Sequence, residues 1–285
     1  MITVDAHHHL WDLTRRPQPW LDRDAMAPIR RSFTLTDLTT ETTAAGVIRT
    51  ILVQVLADAI ETREFLATAQ DSDLVTGVVG WADLTSASIA DDLAALRAAP
   101  GGDRLVGIRH LVQDEPDPWW LCRPDVMRGL RAVANAGLSY DLLTLPHQLP
   151  AAVGSVRAIP ALTFVLDHAS KPPVRSGRIR PWAEHLAELA AEPNVYCKLS
   201  GLATEADRAR WTVADLVPYA QHALEAFGPD RVMFGSDWPV CLLAGSYKRI
   251  TDAARQLTAS LSVTEQTAIF GGTALRAYRL GGQER

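Results

Sequence analysis

Eight times along this chain a short apolar, β-branched run gives way to a stretch with the spacing of an amphipathic helix. That rhythm limits the fold more than any single motif. The runs are the opening Ile2-Thr3-Val4-Asp5-Ala6-His7-His8-His9, then Thr50–Val55, Leu74–Trp81, Leu105–Arg109, Leu138–Leu143, Thr163–His168, Val195–Leu199 and Arg231–Gly235. Helical patterns follow at Asp37–Ala45, Ala59–Gln70, Ser86–Ala98, Pro124–Ala136, His147–Ala158, Arg180–Ala191 and Thr212–Phe227, and helices fill the C-terminal part. Thr36 is expected to cap the first helix and Gly46 to stop it; Ser262-Val-Thr-Glu265 spells a capping box. Runs that are nearly all apolar are buried on both faces, which means parallel pairing. Eight strand–helix units point to an α/β fold of the (β/α)8 (TIM) barrel type rather than an open doubly wound sheet. No GxGxxG follows the first strand, which weakens a dinucleotide reading further. No linker or low-complexity tract divides the chain, so residues 1–285 are read as a single domain.

In such a barrel, chemistry belongs at the C-terminal ends of the strands. Polar residues gather at those ends. The first strand supplies His7 and His9, which share a face because side chains alternate, roughly 6.6 Å apart along the strand. His8 and Leu10 point the other way. Later strands end in Gln54, in Trp81 and Asp83, in Arg109 and His110, in Tyr140 and Asp141, in Asp167, His168 and Lys171, in Lys198 and Ser200, and in Ser236, Asp237 and Trp238. A terminal histidine run can be a purification tag, but tags are longer and do not follow a strand pattern and an aspartate.

His7, His9, His168 and Asp237 form the best-motivated set. Imidazole nitrogen and carboxylate oxygen suit one zinc ion, whereas a mostly nitrogen cluster does not suit Mg2+ or Ca2+. The same four residues also suit metal-free chemistry, with Asp237 taking a proton from water that the imidazoles hold. Both readings stay open. Asp167 and Asp141 read as supports, and Lys198 as either a structural bridge or a substrate contact. The Pro/Trp/Arg-rich stretch from Asp12 to Ser32 is expected to form an ordered cover.

The bulk numbers exclude several classes. A net charge of -5 and a pI near 5.9 argue against a nucleic-acid surface and offer no basic patch for lipid. Cys122, Cys197 and Cys241 lie far apart and are odd in number, as for reduced thiols in the cytoplasm. No signal peptide and no membrane-spanning run are expected.

Four motifs in order resemble the amidohydrolase superfamily: Asp5-Ala-His7-His-His9-Leu-Trp11, Asp167-His168-Ala-Ser-Lys171-Pro172, Lys198-Leu-Ser200-Gly201 and Phe234-Gly-Ser-Asp237-Trp-Pro239. Within it they resemble the sugar lactonase branch, which includes L-fuconolactone, L-rhamnonolactone and 2-pyrone-4,6-dicarboxylate lactonases. By that resemblance His7, His9, His168 and Asp237 match metal-site positions. Arg109-His110 and Tyr140-Asp141 depart from the bridging residue and the fifth-strand histidine of two-metal members. The resemblance therefore implies one divalent metal (Zn) at most, and a dispensable one. It implies hydrolysis of an aldonolactone, with Asp237 as general base and a cation such as Arg109 or Lys171 at the oxyanion. Trp11, Gln54, Trp81, Arg109, Lys171 and Trp238 are the expected substrate contacts. Arg109 alone is a firmly placed arginine, which favours a neutral sugar lactone over a dicarboxylated pyrone. The alternative is a zinc-dependent decarboxylase of an aromatic or unsaturated acid on the same scaffold, which usually keeps a fifth-strand histidine. The implied partners are a small-molecule lactone, no nucleic acid and no membrane, with a homo-oligomer left open.

Overall fold

A computed structural model describes residues 3–280. Eight parallel strands pair in chain order: β1 (Val4–His8), β2 (Arg49–Val53), β3 (Val75–Gly80), β4 (Leu105–His110), β5 (Ser139–Leu142), β6 (Phe164–Leu166), β7 (Val195–Leu199) and β8 (Val232–Phe234). The sheet curls back on itself where a parallel bridge joins His8 to Trp238. The result is the expected (β/α)8 barrel. Helices α1 (Leu35–Ala45), α2 (Ala59–Gln70), α3 (Ile89–Ala98), α4 (Pro124–Asn135), α5 (Leu149–Ala158), α6 (Trp182–Ala190), α7 (Val213–Phe227) and α8 (Tyr247–Leu257) follow the strands in turn. Two short helices, α9 (Val263–Thr267) and α10 (Thr273–Ala277), lie beyond them. Among the described residues no helix is long and apolar enough to cross a membrane.

Helix α1 starts earlier than its sequence suggests. Thr34, not Thr36, is the N-cap. Asp37 explains the shift: its carboxylate accepts from the Thr34 amide at 2.8 Å and from the Thr34 hydroxyl at 2.7 Å, closing a capping box. Gly46 ends the helix in the left-handed region, at φ 73°.

The apolar residues divide into two layers. The larger joins the outer faces of the strands to the helices. The smaller fills the barrel interior with Val4, Ala6, Ile51, Val53, Val79, Val165 and Met233, and Ala274, Ala277 and Tyr278 close its floor. Strict alternation from Val4 and Ala6 would turn His7 outward. The β1–β2 register shifts between Asp5 and His8, and this irregularity lets Ala6 and His7 both face inward. His8 and Leu10 do point the other way, His8 Nε2 meeting Thr50 Oγ1 at 3.0 Å.

One buried carboxylate pins the seam between β1 and β8. Asp5 Oδ1 accepts from the amides of Ser236, at 2.8 Å, and His7, at 3.1 Å, and Oδ2 accepts from the Tyr247 hydroxyl of α8 at 2.9 Å. Asp5→Ala strands these buried donors, so it is expected to cost about 3–5 kcal/mol of unfolding free energy. Tyr247→Phe removes one neutral donor and is expected to cost about 1 kcal/mol. Chemical denaturation of the variants checks both, and losses below half these values would show that the seam relaxes around the change.

Candidate active site

The tips of β1, β6 and β8 meet at one point. Asp237 Oδ1 lies 3.7 Å from His7 Nε2, 3.5 Å from His9 Nε2 and 3.9 Å from His168 Nε2. His7 and His9 Nε2 are 3.1 Å apart. All four residues are at most 5% exposed.

Main-chain geometry delivers them there. The Asp237 amide donates to His7 O at 2.8 Å and the His9 amide to Trp238 O at 2.7 Å, so the β1 and β8 tips are locked in register. After β6 the chain makes a left-handed turn, with His168, Ala169, Ser170 and Lys171 at φ 54°, 47°, 59° and 49°. Asp237 also has positive φ, 59°. Each such residue costs on the order of 1 kcal/mol, tolerated where surrounding contacts hold the backbone. Here Trp182 Nε1 donates to Ala169 O at 2.7 Å and the Cys241 amide to Asp237 O at 2.8 Å. Two glycines make room. A Cβ on Gly201 would sit 2.8 Å from the His168 ring, and one on Gly235 would sit 2.7 Å from His7 Cβ.

The far nitrogen of each imidazole is engaged. His9 Nδ1 donates to Val53 O at 2.8 Å, His168 Nδ1 meets Ser200 Oγ at 2.8 Å, and His7 Nδ1 lies 3.3 Å from Asp167 Oδ1. The carbonyl partner fixes a proton on His9 Nδ1, and the three contacts turn each Nε2 toward Asp237. Burial pushes His7 well below the usual imidazole range, and burial lowers His168 to about 4. Burial would raise Asp237, but the His168, His9 and His7 imidazoles outweigh it and hold the carboxyl below its ordinary range.

Converging acceptor atoms repel unless a cation or proton lies among them. His7, His168 and Asp237 offer donor atoms within 4.8 Å of one another, with His9 alongside. Two imidazole nitrogens and one carboxylate oxygen suit a divalent ion such as zinc.

Behind the imidazoles lies a buried charge network. Lys198 Nζ lies 2.6 Å from Asp141 Oδ2, 2.9 Å from Asp167 Oδ1 and 3.1 Å from His7 Nδ1. Lys198 is therefore a bridge and does not line the cavity. Tyr278 donates to Asp141 Oδ2 at 2.8 Å. Burial pushes Asp141 up to about 6 against the pull of Lys198. Burial also acts to raise Asp167, yet Lys198, His7 and Arg109 together hold it well below the carboxylate range. Arg109 NH1 donates to Asp167 Oδ2 at 2.9 Å and lies 3.4 Å from His7 Nε2, while NH2 donates to Gln54 O.

The cluster opens into a cavity of about 440 Å³. Trp11, Arg109 and Lys171 line it, together with His9, His168 and Asp237. Gln54, Trp81 and Trp238 do not. Gln54 Nε2 donates to Arg109 O at 3.2 Å, tying β2 to β4. Trp81 Nε1 donates to His110 Nδ1 at 3.1 Å, and Trp238 packs edge-on against Phe33 in the apolar layer. The 12–32 stretch is an ordered cover, contributing Trp20, Arg23 and Met26 to the wall. Sequence reading missed Arg23, Glu205 and Arg208, which sit on loops without periodicity, and Gln113, which sits in a single 3-10 turn after β4. Arg109 is consequently not the lone arginine of the cavity: Arg23 and Arg208 share it, because loops far apart in sequence fold over the same barrel mouth.

The amidohydrolase family model matches residues 4–280. The chain is 37% identical to the L-fucono-1,5-lactonase of Burkholderia ambifaria, over 97% of this chain and 95% of that one. It is 37% identical to the L-fucono-1,5-lactonase of Burkholderia multivorans, over 98% and 96%. A crystal structure of an amidohydrolase from Burkholderia multivorans with bound zinc superposes with a TM-score of 0.91 at 36% identity, covering 98% of this chain and 99% of that one. A sequence match from the first strand to the floor of the barrel, joined to the same fold, makes this chain a member of the amidohydrolase family.

Proposed function

We propose that this chain hydrolyses a neutral sugar lactone of the L-fuconolactone or L-rhamnonolactone type to the open sugar acid. The observation that carries the reading is the carboxylate of Asp237, ringed by three imidazoles at the foot of the cavity. Full-length likeness to two L-fucono-1,5-lactonases supports the substrate class.

In this mechanism water is held against the imidazoles and Asp237 removes its proton as the oxygen attacks the lactone carbonyl. Negative charge then develops on the carbonyl oxygen. Arg109 is the cation at the reacting centre, and Asp167 and Gln54 fix its guanidinium in place. As the ring C–O bond breaks, Asp237 returns the proton to the leaving alkoxide oxygen. A divalent ion held by His7, His168 and Asp237, with His9 beside it, would polarise the carbonyl and acidify water. A decarboxylase on this scaffold usually keeps a histidine from β5, where Asp141 is instead committed to Lys198 and Tyr278.

A pH-indicator assay over a panel of aldonolactones is the direct test, because hydrolysis releases acid. Turnover of L-fucono- or L-rhamnonolactones is expected, with no CO2 released from aromatic acids. Release of CO2 without lactone turnover would overturn the reading. Asp237→Asn is expected to keep the fold, seen by circular dichroism, and to lower kcat by about 10² or more. A loss of only a few-fold would take Asp237 out of the proton transfer. Elemental analysis is expected to find about one zinc per chain, and less in His168→Ala, which deletes one donor. Full activity in exhaustively chelated protein without bound metal would leave the imidazoles and Asp237 to act alone.

A further inference from the structure

The charged groups of the cavity are of two kinds. Some are already committed to the protein. Arg109 is tied to Asp167 and Gln54. Arg208 Nε donates to Thr204 O at 3.3 Å and NH1 to Ala25 O at 3.4 Å. These contacts make Arg208 a clasp between the loop after β7 and the cover. Others are uncommitted. Arg23, Asp114, Lys171 and Glu205 line the cavity, and among the described residues none of these side chains has a hydrogen-bond or ion-pair partner; Arg23 and Asp114 are exposed, whereas Glu205 and Lys171 are half-buried.

Both are nonetheless held in place by their backbones. Lys171 ends the left-handed turn, its amide donating to His168 O at 2.9 Å. Glu205 is gripped on both sides of its peptide: its amide donates to Leu202 O at 3.3 Å and its carbonyl accepts from the Arg175 amide at 3.0 Å. Glu205 is half-buried. Burial raises its carboxyl, Lys171 and Arg208 draw it back, and Asp237 is near enough to add to the rise. A polar side chain so placed takes its hydrogen bonds from whatever occupies the cavity.

The two groups have complementary chemistry. An ionised carboxylate only accepts, through two oxygens spaced to take both hydrogens of a vicinal diol. An ammonium only donates. A sugar hydroxyl does both. We propose that Glu205 and Lys171 are the specificity-determining pair of the site, Glu205 accepting from adjacent ring hydroxyls of the lactone and Lys171 donating to a hydroxyl oxygen. This rests on the lactonase reading and narrows it. A ring bearing a carboxylate would meet the like charge of Glu205, and a ring without hydroxyls would leave Glu205 unsatisfied. The cation count alone therefore does not make this an acid-binding site.

The test is steady-state hydrolysis of L-fucono-1,5-lactone and of analogues each lacking one ring hydroxyl, by the full-length protein and its variants. Glu205→Ala is expected to raise KM for the parent lactone about ten- to a hundred-fold, with kcat changed less than about three-fold. The penalty should shrink to less than about three-fold for the analogue lacking the hydroxyl that Glu205 binds, the sign of a direct contact. Glu205→Gln keeps the shape and one acceptor, so it should fall between, and it carries the test should the alanine variant misfold. Lys171→Met should show the same selective pattern for a different hydroxyl. Equal penalties across the parent and every analogue, or none, would overturn the proposal while leaving the lactonase reading intact. Failure of the unaltered protein to hydrolyse any lactone would overturn both.

Discussion

Closure of the barrel and assembly of the site are the same event. The β1 and β8 tips exchange main-chain hydrogen bonds at His7, His9, Asp237 and Trp238, and those bonds set the Asp237 carboxylate among three imidazoles. Asp5 holds the same seam from behind, through the Ser236 and His7 amides and the Tyr247 hydroxyl. Little of this geometry is free to drift. Gly201 and Gly235 leave only the space that His168 and His7 occupy. The positive φ at His168 and Asp237 places strain at the two residues whose side chains must turn back toward the axis.

The imidazoles are useful because their far nitrogens are occupied. Val53 O, Ser200 Oγ and Asp167 lie against the Nδ1 positions, so each ring is held with its Nε2 toward the centre. Asp167 is in turn held ionised by Lys198 and Arg109, and Lys198 is shared with Asp141, which reaches Tyr278 at the barrel floor. Buried charges are costly unless they are paired and hydrogen-bonded. Here the pairing runs from the floor of the barrel to its mouth, so the interior is part apolar core and part electrostatic support for the site.

How much of this was legible depends on periodicity. The strands announce themselves as apolar runs, and residues at their ends fall near the barrel mouth, which is why His7, His9, His168 and Asp237 group by position along the chain alone. Strand-end position does not fix direction, however. Gln54 turns along the sheet to Arg109, Trp81 turns to His110, and Trp238 turns outward to Phe33. The loop residues Arg23, Glu205 and Arg208 carry no repeat that would reveal where they point. Thr36 has the chemistry of a cap, but Asp37 reaches back to Thr34 and sets the cap there.

The sequence by itself determined the order of eight strand–helix units, the two histidines on one face of the first strand and the polar residues at the strand ends. Those follow from local rules: side-chain alternation, burial on both faces and helix spacing. Only the tertiary structure decided that Ala6 and His7 both face inward, that Lys198 is a bridge, and that Glu205 joins Lys171 in the cavity. Each of these depends on register, ion pairing or loop packing between residues far apart along the chain, and no local pattern encodes such distances.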